Sequence, residues 1–517
     1  MESLVALQLG FGQLIENPML ILWLAFGVLM GVVFGVVPGL TGALGVTLML
    51  PFTFGMSPAQ GITILIGIYV GAIAGGFVAA ILLNIPGSPA SLVTCFDGPQ
   101  IAKAGRAGEA LILALYGSFI GGVFSAGVLI VVAPQLARVA LAFGPWEYFA
   151  MGVMGLSIVV GVVSKDVVKG LIAAIIGILF AMVGIDPVSG AHRFTFGMWQ
   201  LGGGLDILAT LMGLFAIAEI LTQTKKLGKT IPVAPETGKV PLFPGRQLLK
   251  GRGKVFLSSS VIGTAIGIVP GVAQSTAALM SYLGAKQISK EPEKFGKGSD
   301  EGVIASETAN NACCGGALVP MMTMGIPGDV VTAIMIGGLV IHGLQPGPLL
   351  FINNMDVVGS MYVAYLVAAF MMYLMMIVIM KGFIKLLLVP LQYLFPVLLL
   401  MCVVGTIAVN NRIFDSWVLL IIGIVGYVLL QNNFPLPPIV LGYILGPIIE
   451  NNFRIAIIAS RGSLIPLFGR PVAMAMLVIG LFMVCFPLIK NAMNKRKAAN
   501  VLQSSNDEKN SEKGEAK

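Results

Sequence analysis

The chain has 517 residues, of which 57% are hydrophobic and 10% are charged, and its formal net charge is +8. A soluble domain has about a quarter charged residues, so this composition excludes a soluble fold. Apolar stretches long enough to cross a bilayer recur along the chain, whereas an outer-membrane barrel shows short segments of alternating hydrophobicity. The sequence therefore predicts an all-α polytopic integral membrane protein.

The first half of the chain has the pattern of successive membrane segments, two of which are interrupted. Glu2 and Glu16 are the only charges of the N-terminal region, which lacks the basic start of a cleavable signal and is expected to be retained. Residues 18–50 are predicted to form a hairpin broken at GVVPGL, and residues 61–96 a crossing broken at NIPGSP. Four further helices are predicted at 107–134, 146–163, 167–184 and 196–221.

The second half repeats this order. It begins with a hairpin broken at GIVPGV, residues 257–285, and continues with a crossing broken at GIPG, residues 302–341. Five more helices are predicted at 357–380, 386–411, 414–431, 435–450 and 470–490. The predicted organisation is a first membrane repeat at 1–221, a basic cytoplasmic linker at 222–256, a second membrane repeat at 257–489 and a disordered cytoplasmic tail at 490–517.

Two motif pairs support an internal repeat. GVVPGL at 35–40 is echoed by GIVPGV at 267–272, an offset of 232, and the IPG at 85–87 recurs at 326–328, an offset of 241. Loops after equivalent breaks carry opposite Lys and Arg bias, so the positive-inside rule places them on opposite sides. This predicts inverted-topology repeats with broken helices and roughly 11–14 membrane segments, with a periplasmic N-terminus and a cytoplasmic C-terminus. Three arginines do not fit the positive-inside rule, because this layout places them on the outer side: Arg454, Arg461 and Arg470.

The paired breaks predict a binding site between the repeats. A proline inside a helix frees backbone groups that must be buried in protein or face a hydrated cavity, and half-helix N-termini favour anions. The predicted helix breaks are Pro38, Gly39, Pro86, Pro89, Pro270, Gly271 and Pro327. The predicted substrate-binding residues are Thr41, Asn84, Gly87, Ser88, Ser91, Thr94, Gln274, Ser275, Asn310, Asn311, Thr323, Gly328 and Thr332. The competing interpretation is that hydroxyls cap the half-helices and glycines permit tight packing.

Four acids lie at or near these breaks: Asp97, Asp300, Glu307 and Asp329. Glu307 and Asp329 are the predicted sites of cation coupling, because an intramembrane carboxylate is a functional candidate by default. A capping or structural role is the alternative for both, and Asp329 could cap the helix that follows the second IPG. Asp97 is interpreted as a cap at the edge of a loop.

Other kinds of site are disfavoured. The basic segments flank membrane helices and lack interleaved aromatic residues, which favours topology anchors over nucleic-acid binding. The five cysteines lie in apolar surroundings without metal-ligand spacing, and the chain has two histidines, so neither a metal site nor a resident cofactor is predicted. HExxH and GxSxG motifs are absent, so an intramembrane enzyme is a weak alternative.

Four long strings in the sequence resemble the large membrane subunit of the tripartite tricarboxylate transporters. They are GVVPGLTG, NIPGSPASLVTCFDGPQIAKAGRAGEAL, PEKFGKGSDEGVIASETANNACCGGALVPMMTMGIPG and LVIHGLQPGPLLF. The resemblance runs from about residue 10 to about residue 490. Cys313 and Cys314 depart from it, because the family usually has small residues there.

The resemblance implies a bacterial inner-membrane secondary carrier that imports a di- or tricarboxylate, or a related organic acid, with an Na⁺ or H⁺ gradient. It also implies two partners, a small membrane subunit and a periplasmic solute-binding protein that delivers the substrate. The alternatives are a stand-alone carboxylate carrier or a channel that needs no binding protein. The sequence does not choose among citrate, tartrate, other dicarboxylates and aromatic acids.

Overall fold

A computed structural model of the chain describes residues 2–163, 166–225, 240–386 and 391–489. The described part is helical almost throughout, which confirms the all-α prediction. The only strands in it are β1 (Gly184–Ile185) and β2 (His192–Arg193), which pair antiparallel. The helices of the first half are α1 (Glu2–Glu16), α2 (Met19–Val36), α3 (Gly42–Thr53), α4 (Pro58–Leu83), α5 (Gly98–Ile101), α6 (Ala107–Leu141), α7 (Pro145–Val163), α8 (Val167–Ala181), α9 (Ile207–Met212) and α10 (Ala218–Thr224).

The second half contains a similar series. Its helices are α11 (Arg246–Leu249), α12 (Gly253–Ile268), α13 (Gln274–Ile288), α14 (Asp300–Met324), α15 (Val330–Ile341), α16 (Leu350–Asn353), α17 (Met355–Leu386), α18 (Leu391–Asn410), α19 (Ile413–Gln431), α20 (Leu436–Ala459), α21 (Ile465–Phe468) and α22 (Pro471–Ile489). Residues 226–239 of the predicted linker and the whole predicted tail, 490–517, lie outside the described residues.

Nine helices in the described ranges are long and apolar enough to cross a membrane, and four shorter apolar helices accompany them. These thirteen candidates lie within the predicted number of segments. The helix predicted at 196–221 is the main correction, because it begins only at Ile207. A π-helical turn at Gly213–Ile217 joins α9 and α10 into one continuous helix, Ile207–Thr224. Glycines in the left-handed conformation at Gly197 and Gly204 interrupt the preceding stretch, and Asp206 caps the new helix through the backbone N–H of Ala209 at 2.8 Å.

Equivalent helices of the two halves pack in the same way. Gly35 of α2 lies so close to the carbonyl of Ala72 on α4 that a Cβ would clash with it. Gly267 of α12 lies equally close to the carbonyl of Cys313 on α14. The two contacts correspond under the 232- and 241-residue offsets of the sequence motifs. Small residues let helix backbones approach closely in membranes. The α2–α4 pair and the α12–α14 pair therefore share the same close glycine contact.

The two halves run in opposite directions. The start of α4 lies beside the end of the second broken crossing, because a Cβ on Gly61 would clash with the ring of His342. The start of α14 lies beside the end of the first broken crossing, where Thr94 contacts Ser306 at 3.1 Å. α4 and α14 are therefore antiparallel, as inverted repeats require.

Two of the three misfitting arginines are ion-paired. Arg454 contacts Asp186 at 2.9 Å, and Arg470 contacts Glu147 at 3.4 Å. Hydrogen bonds from the backbone N–H of Val188 and from Arg454 hold the pKa of Asp186 well below its usual range. The charges of these two arginines are therefore compensated by neighbouring carboxylates.

Candidate functional site

Both long broken helices end in the left-handed backbone conformation. The C-cap residue of α4 is Asn84, whose φ is 55°, and that of α14 is Gly325, whose φ is 69°. These residues correspond under the 241-residue offset, and few residue types other than glycine and asparagine adopt this conformation at low cost. The side chain of Asn84 is exposed. The end of α4 by itself accounts for asparagine at this position.

The VPG and IPG breaks of each half touch each other. Gly39 and Gly271 have φ angles of +92° and +77°. The backbone N–H of Gly271 donates to the carbonyl of Gly328 at 2.7 Å, and Gly87 lies so close to the carbonyl of Gly35 that a Cβ would clash. Each half therefore brings its two breaks to one place. The prolines of these connections are Pro38, Pro86, Pro89, Pro270 and Pro327.

Glu307 is fully buried in α14, among hydroxyl and amide groups from both halves. The Thr94 hydroxyl, from the turn after the first IPG break, donates to Glu307 Oε1 and lies 3.1 Å from the hydroxyl of Ser306. Ser118 of α6 donates to Oε2 at 3.3 Å, and the Asn310 amide donates to the same oxygen at 3.1 Å. Because Thr94 and Ser118 belong to the first half, this carboxylate lies at the boundary between the repeats.

Asp329, the second acid considered for cation coupling, has a different environment. Its Oδ1 accepts the backbone N–H of Thr332 at 2.7 Å and the Thr332 hydroxyl at 2.6 Å, which caps the start of α15. Its Oδ2 accepts the hydroxyl of Tyr69 at 2.5 Å and the side-chain amide of Gln274. The capping role considered for Asp329 is thus present in the structure, alongside two contacts that reach it from α4 and α13.

The contacts between halves are reciprocal. Tyr69 on α4 and Asn310 on α14 are equivalent under the 241-residue offset. Tyr69 reaches Asp329 in the break of the second half, and Asn310 donates to the carbonyl of Ala90 in the first, at 3.4 Å. In each half, the long helix before the IPG break therefore contacts the broken segment of the opposite repeat.

Asp97 does not cap a helix with its side chain within the described residues, which corrects its interpretation as a loop-edge cap. It is buried, and its Oδ1 accepts three backbone N–H groups at 2.8 Å, from Gly296, Gly298 and Ser299. Its other oxygen accepts the hydroxyl of Tyr282, also at 2.8 Å. The carboxylate therefore fixes the loop that leads into α14 of the opposite repeat.

Three predicted substrate residues make local hydrogen bonds. Thr41 accepts a backbone N–H in the first turn of α3 at 3.2 Å, and Thr323 donates to a carbonyl one turn earlier at 2.8 Å. The side chain of Asn311 donates to the carbonyl of Glu307 at 3.2 Å. These contacts match the capping and packing interpretation, and substrate binding at these positions stays a prediction.

Open hydrogen-bonding groups occur in the turn after the first IPG break, where the Ser88 hydroxyl lies against Gly76 of α4, and at the start of α13. The Ser88 hydroxyl is buried and has no partner among the described residues. The Ser91 hydroxyl donates to the Ser88 carbonyl at 3.0 Å, and α13 packs against the turn that contains Ser91. α13 starts at Gln274, followed by the half-buried Ser275, and no side chain of the described residues caps it. An uncapped helix start offers backbone N–H groups and the positive dipole end to an anion.

A separate cavity of about 330 Å³ has no residue of the VPG or IPG breaks in its lining. It lies between the end of α1 and the start of α17, and its lining includes Glu16 and Asp356. Within the described ranges, no group of three or more His, Cys, Asp or Glu side chains could hold a metal ion.

Sequence reasoning missed several contributors to the site. Tyr69 could have been found, because it occupies the position equivalent to Asn310 in the repeat alignment. Ser118 and Ser306 had no such signal, since their relevance depends on which face of α6 or α14 meets Glu307.

Comparisons with known proteins agree with this architecture. The family model described as the tripartite tricarboxylate transporter TctA family matches residues 21–441. An Agrobacterium vitis protein, described as an uncharacterized 52.8 kDa protein in the TAR-I ttuC' 3' region, is 34% identical over 502 residues, which cover 96% of this chain and 98% of that protein. A second A. vitis protein, described as an uncharacterized protein in the TAR-II ttuC' 3' region, is 31% identical over 234 residues, which cover 45% of this chain and 97% of the relative. No solved structure matches the chain significantly.

Proposed function

Because the chain belongs to the tripartite tricarboxylate transporter TctA family, we propose that it is the large membrane subunit of a secondary transporter that imports a di- or tricarboxylate, or a related organic acid. The observation that carries this proposal is the reciprocal contact between two antiparallel repeats at their helix breaks. Inverted repeats with discontinuous helices are the arrangement in which carriers bind substrate near the bilayer midplane. The chain acts as a carrier in this proposal and catalyses no covalent step.

The substrate carboxylates bind at the start of α13, beside the turn that follows the first IPG break. The uncapped backbone amides at Gln274 and Ser275 and the unpartnered hydroxyl of Ser88 supply the hydrogen bonds. The neighbouring Asp329 carboxylate is occupied by the Gln274 side chain and by donors from Tyr69 and Thr332. An anion is stabilised at such a helix start by the dipole and by free N–H groups.

Transport proceeds by alternating access between the repeats. Tyr69 to Asp329 and Thr94 to Glu307 each connect one half to a broken segment of the other. A relative movement of the halves exchanges these contacts, so substrate and coupling-ion sites on the boundary change together. An Na⁺ or H⁺ gradient drives the movement.

The proposed location is a bacterial inner membrane, with a periplasmic N-terminus and a cytoplasmic C-terminus. A small membrane subunit and a periplasmic solute-binding protein complete the system. The binding protein delivers the organic acid to the outward-facing state, and it shares in selecting the substrate.

Vesicles that contain the chain and the small subunit test this proposal. Labelled citrate, tartrate and an aromatic acid are supplied with and without the binding protein, under an imposed Na⁺ or H⁺ gradient. We expect gradient-driven accumulation of one acid only when the binding protein is present. Accumulation without it would favour a stand-alone carrier, and equilibration without accumulation would favour a channel.

A Ser88→Ala variant tests the binding position. Loss of one hydrogen bond to a charged group should reduce kcat/KM for uptake about tenfold. Ser258→Ala is the matched control, because that hydroxyl bonds a carbonyl of its own helix, α12, and no role in binding is proposed for it. Equal uptake by the Ser88→Ala variant and the unmodified protein would contradict the assignment.

A further inference from the structure

Resting on the proposed transport function, we propose that Glu307 alone holds the coupling cation and that this cation is Na⁺. The ligands are the Glu307 carboxylate and the hydroxyl oxygens of Thr94, Ser118 and Ser306. Asp329 has a different task in this proposal: it caps α15 and ties that helix to α4 and α13.

The first argument is the uncompensated charge of Glu307. Its side chain is fully buried, and its side-chain partners in the described part of the chain are Thr94, Ser118 and Asn310, all neutral. A buried carboxylate without an opposite charge is costly, so the site gains strongly when a cation neutralises it.

The second argument is the number of oxygens that converge there. Thr94 and Ser118 both contact the carboxylate, and Ser306 lies 3.1 Å from the Thr94 hydroxyl. A hydroxyl is both a donor and an acceptor, so these groups can turn their lone pairs toward a hard cation. A proton would need only one acceptor, whereas this set provides the several oxygen ligands that Na⁺ uses.

The third argument is the contrast with Asp329. That carboxylate accepts the backbone N–H and the hydroxyl of Thr332, the hydroxyl of Tyr69 and the side-chain amide of Gln274. It also lies at the N-terminus of α15, a helix of 12 residues, where the dipole favours a negative charge. Its charge is therefore stabilised by fixed donors, which leaves little reason for a cation to bind.

The position of Glu307 explains how binding would be coupled to movement. Glu307 and Ser306 lie on α14 of the second repeat, while Thr94 and Ser118 come from the first. The position equivalent to Glu307 in the first repeat is Ile66, so the repeat does not duplicate the carboxylate. Na⁺ would bind fully only when the halves adopt this arrangement, and a ligand that prefers one arrangement shifts the population toward it.

Binding of radiolabelled Na⁺ to the full-length chain in lipid nanodiscs tests the inference directly, at constant ionic strength set with choline chloride. We expect saturable binding by the unmodified protein and a loss of affinity of about tenfold or more with Glu307→Gln. Thr94→Val and Ser118→Ala, which keep the carboxylate, should each weaken Na⁺ binding by a smaller factor. Asp329→Asn should retain the affinity, and Glu109→Gln, at an exposed ion pair, controls for general effects of removing a carboxylate.

The outcomes separate this inference from the proposed function. Absence of saturable Na⁺ binding to the unmodified chain would overturn the inference, as would unchanged binding by Glu307→Gln or its loss in Asp329→Asn. If the vesicles accumulate an organic acid but Na⁺ binding is absent, the transport function stands and the assignment of Na⁺ fails. If Na⁺ binds through Glu307 but no organic acid accumulates, the proposed function fails while the cation site stands.

Discussion

Oδ1 of Asp97 lies 2.8 Å from the backbone nitrogen of Ser299, although 202 residues separate the two along the chain. The same oxygen accepts the N–H groups of Gly296 and Gly298, whose φ angles of +84° and +105° let the loop curl around it. One carboxylate thus joins the end of the first broken crossing to the start of α14, and it does so beside the turn that carries Thr94.

Removing this carboxylate should loosen the boundary between the repeats. Asp97→Ala leaves three backbone N–H groups without their acceptor, and we expect the free energy of unfolding to fall by about 3 kcal/mol. Chemical denaturation of the full chain in detergent measures this change. Glu109→Gln, at an ion pair whose two side chains are each 41% exposed, should change stability by less than about 1 kcal/mol. Similar values for the two variants would contradict the role assigned to Asp97.

The close contact between helices can be tested at its glycines. Gly35→Ala and Gly267→Ala each place a methyl group against a carbonyl of the neighbouring helix, so each should destabilise the protein by about 1–3 kcal/mol. Gly127→Ala is the matched control, because a Cβ there meets no atom of the described residues within 4 Å outside its own stretch of helix. Thermal unfolding in detergent gives the comparison. A control as damaging as the two test variants would refute the packing explanation.

The repeat and its breaks were predictable because they depend on local chemistry. Proline and glycine interrupt a helix wherever they occur, and the motif offsets are visible in the letters alone. The partners of Glu307 were not predictable, because Thr94 lies 213 residues away and its approach depends on how α14 packs against the first half. The role of Asp97 was hidden for the same reason, since its acceptor geometry exists only after the loop at Gly296 has folded around it.

Asn84 allows the structural and the ligand-binding explanations to be separated. Its φ of 55° and its equivalence to Gly325 predict that Asn84→Gly keeps the fold and substrate uptake, whereas Asn84→Leu destabilises it by about 1–2 kcal/mol. Uptake in vesicles and unfolding in detergent are measured on both variants. A loss of uptake in a stable Asn84→Gly variant would instead show that the side-chain amide binds the substrate.

The ion-pair network around Asp186 predicts a dependence of stability on pH. The lowered pKa of Asp186, held by the Val188 N–H and by Arg454 and Arg193, means that the folded state binds its proton less readily than the unfolded state. The stabilisation is therefore fully present above the unfolded pKa of about 3.9 and is lost as pH falls from there through the lower folded value. Asp186→Asn should lower the thermal unfolding midpoint by a constant amount between about pH 5 and pH 7, and the difference should narrow below about pH 4. Glu291→Gln, at an exposed pair with Lys294, should show no comparable difference. If the difference in unfolding midpoint between the unmodified protein and Asp186→Asn instead increases as the pH falls, this account of the network is wrong.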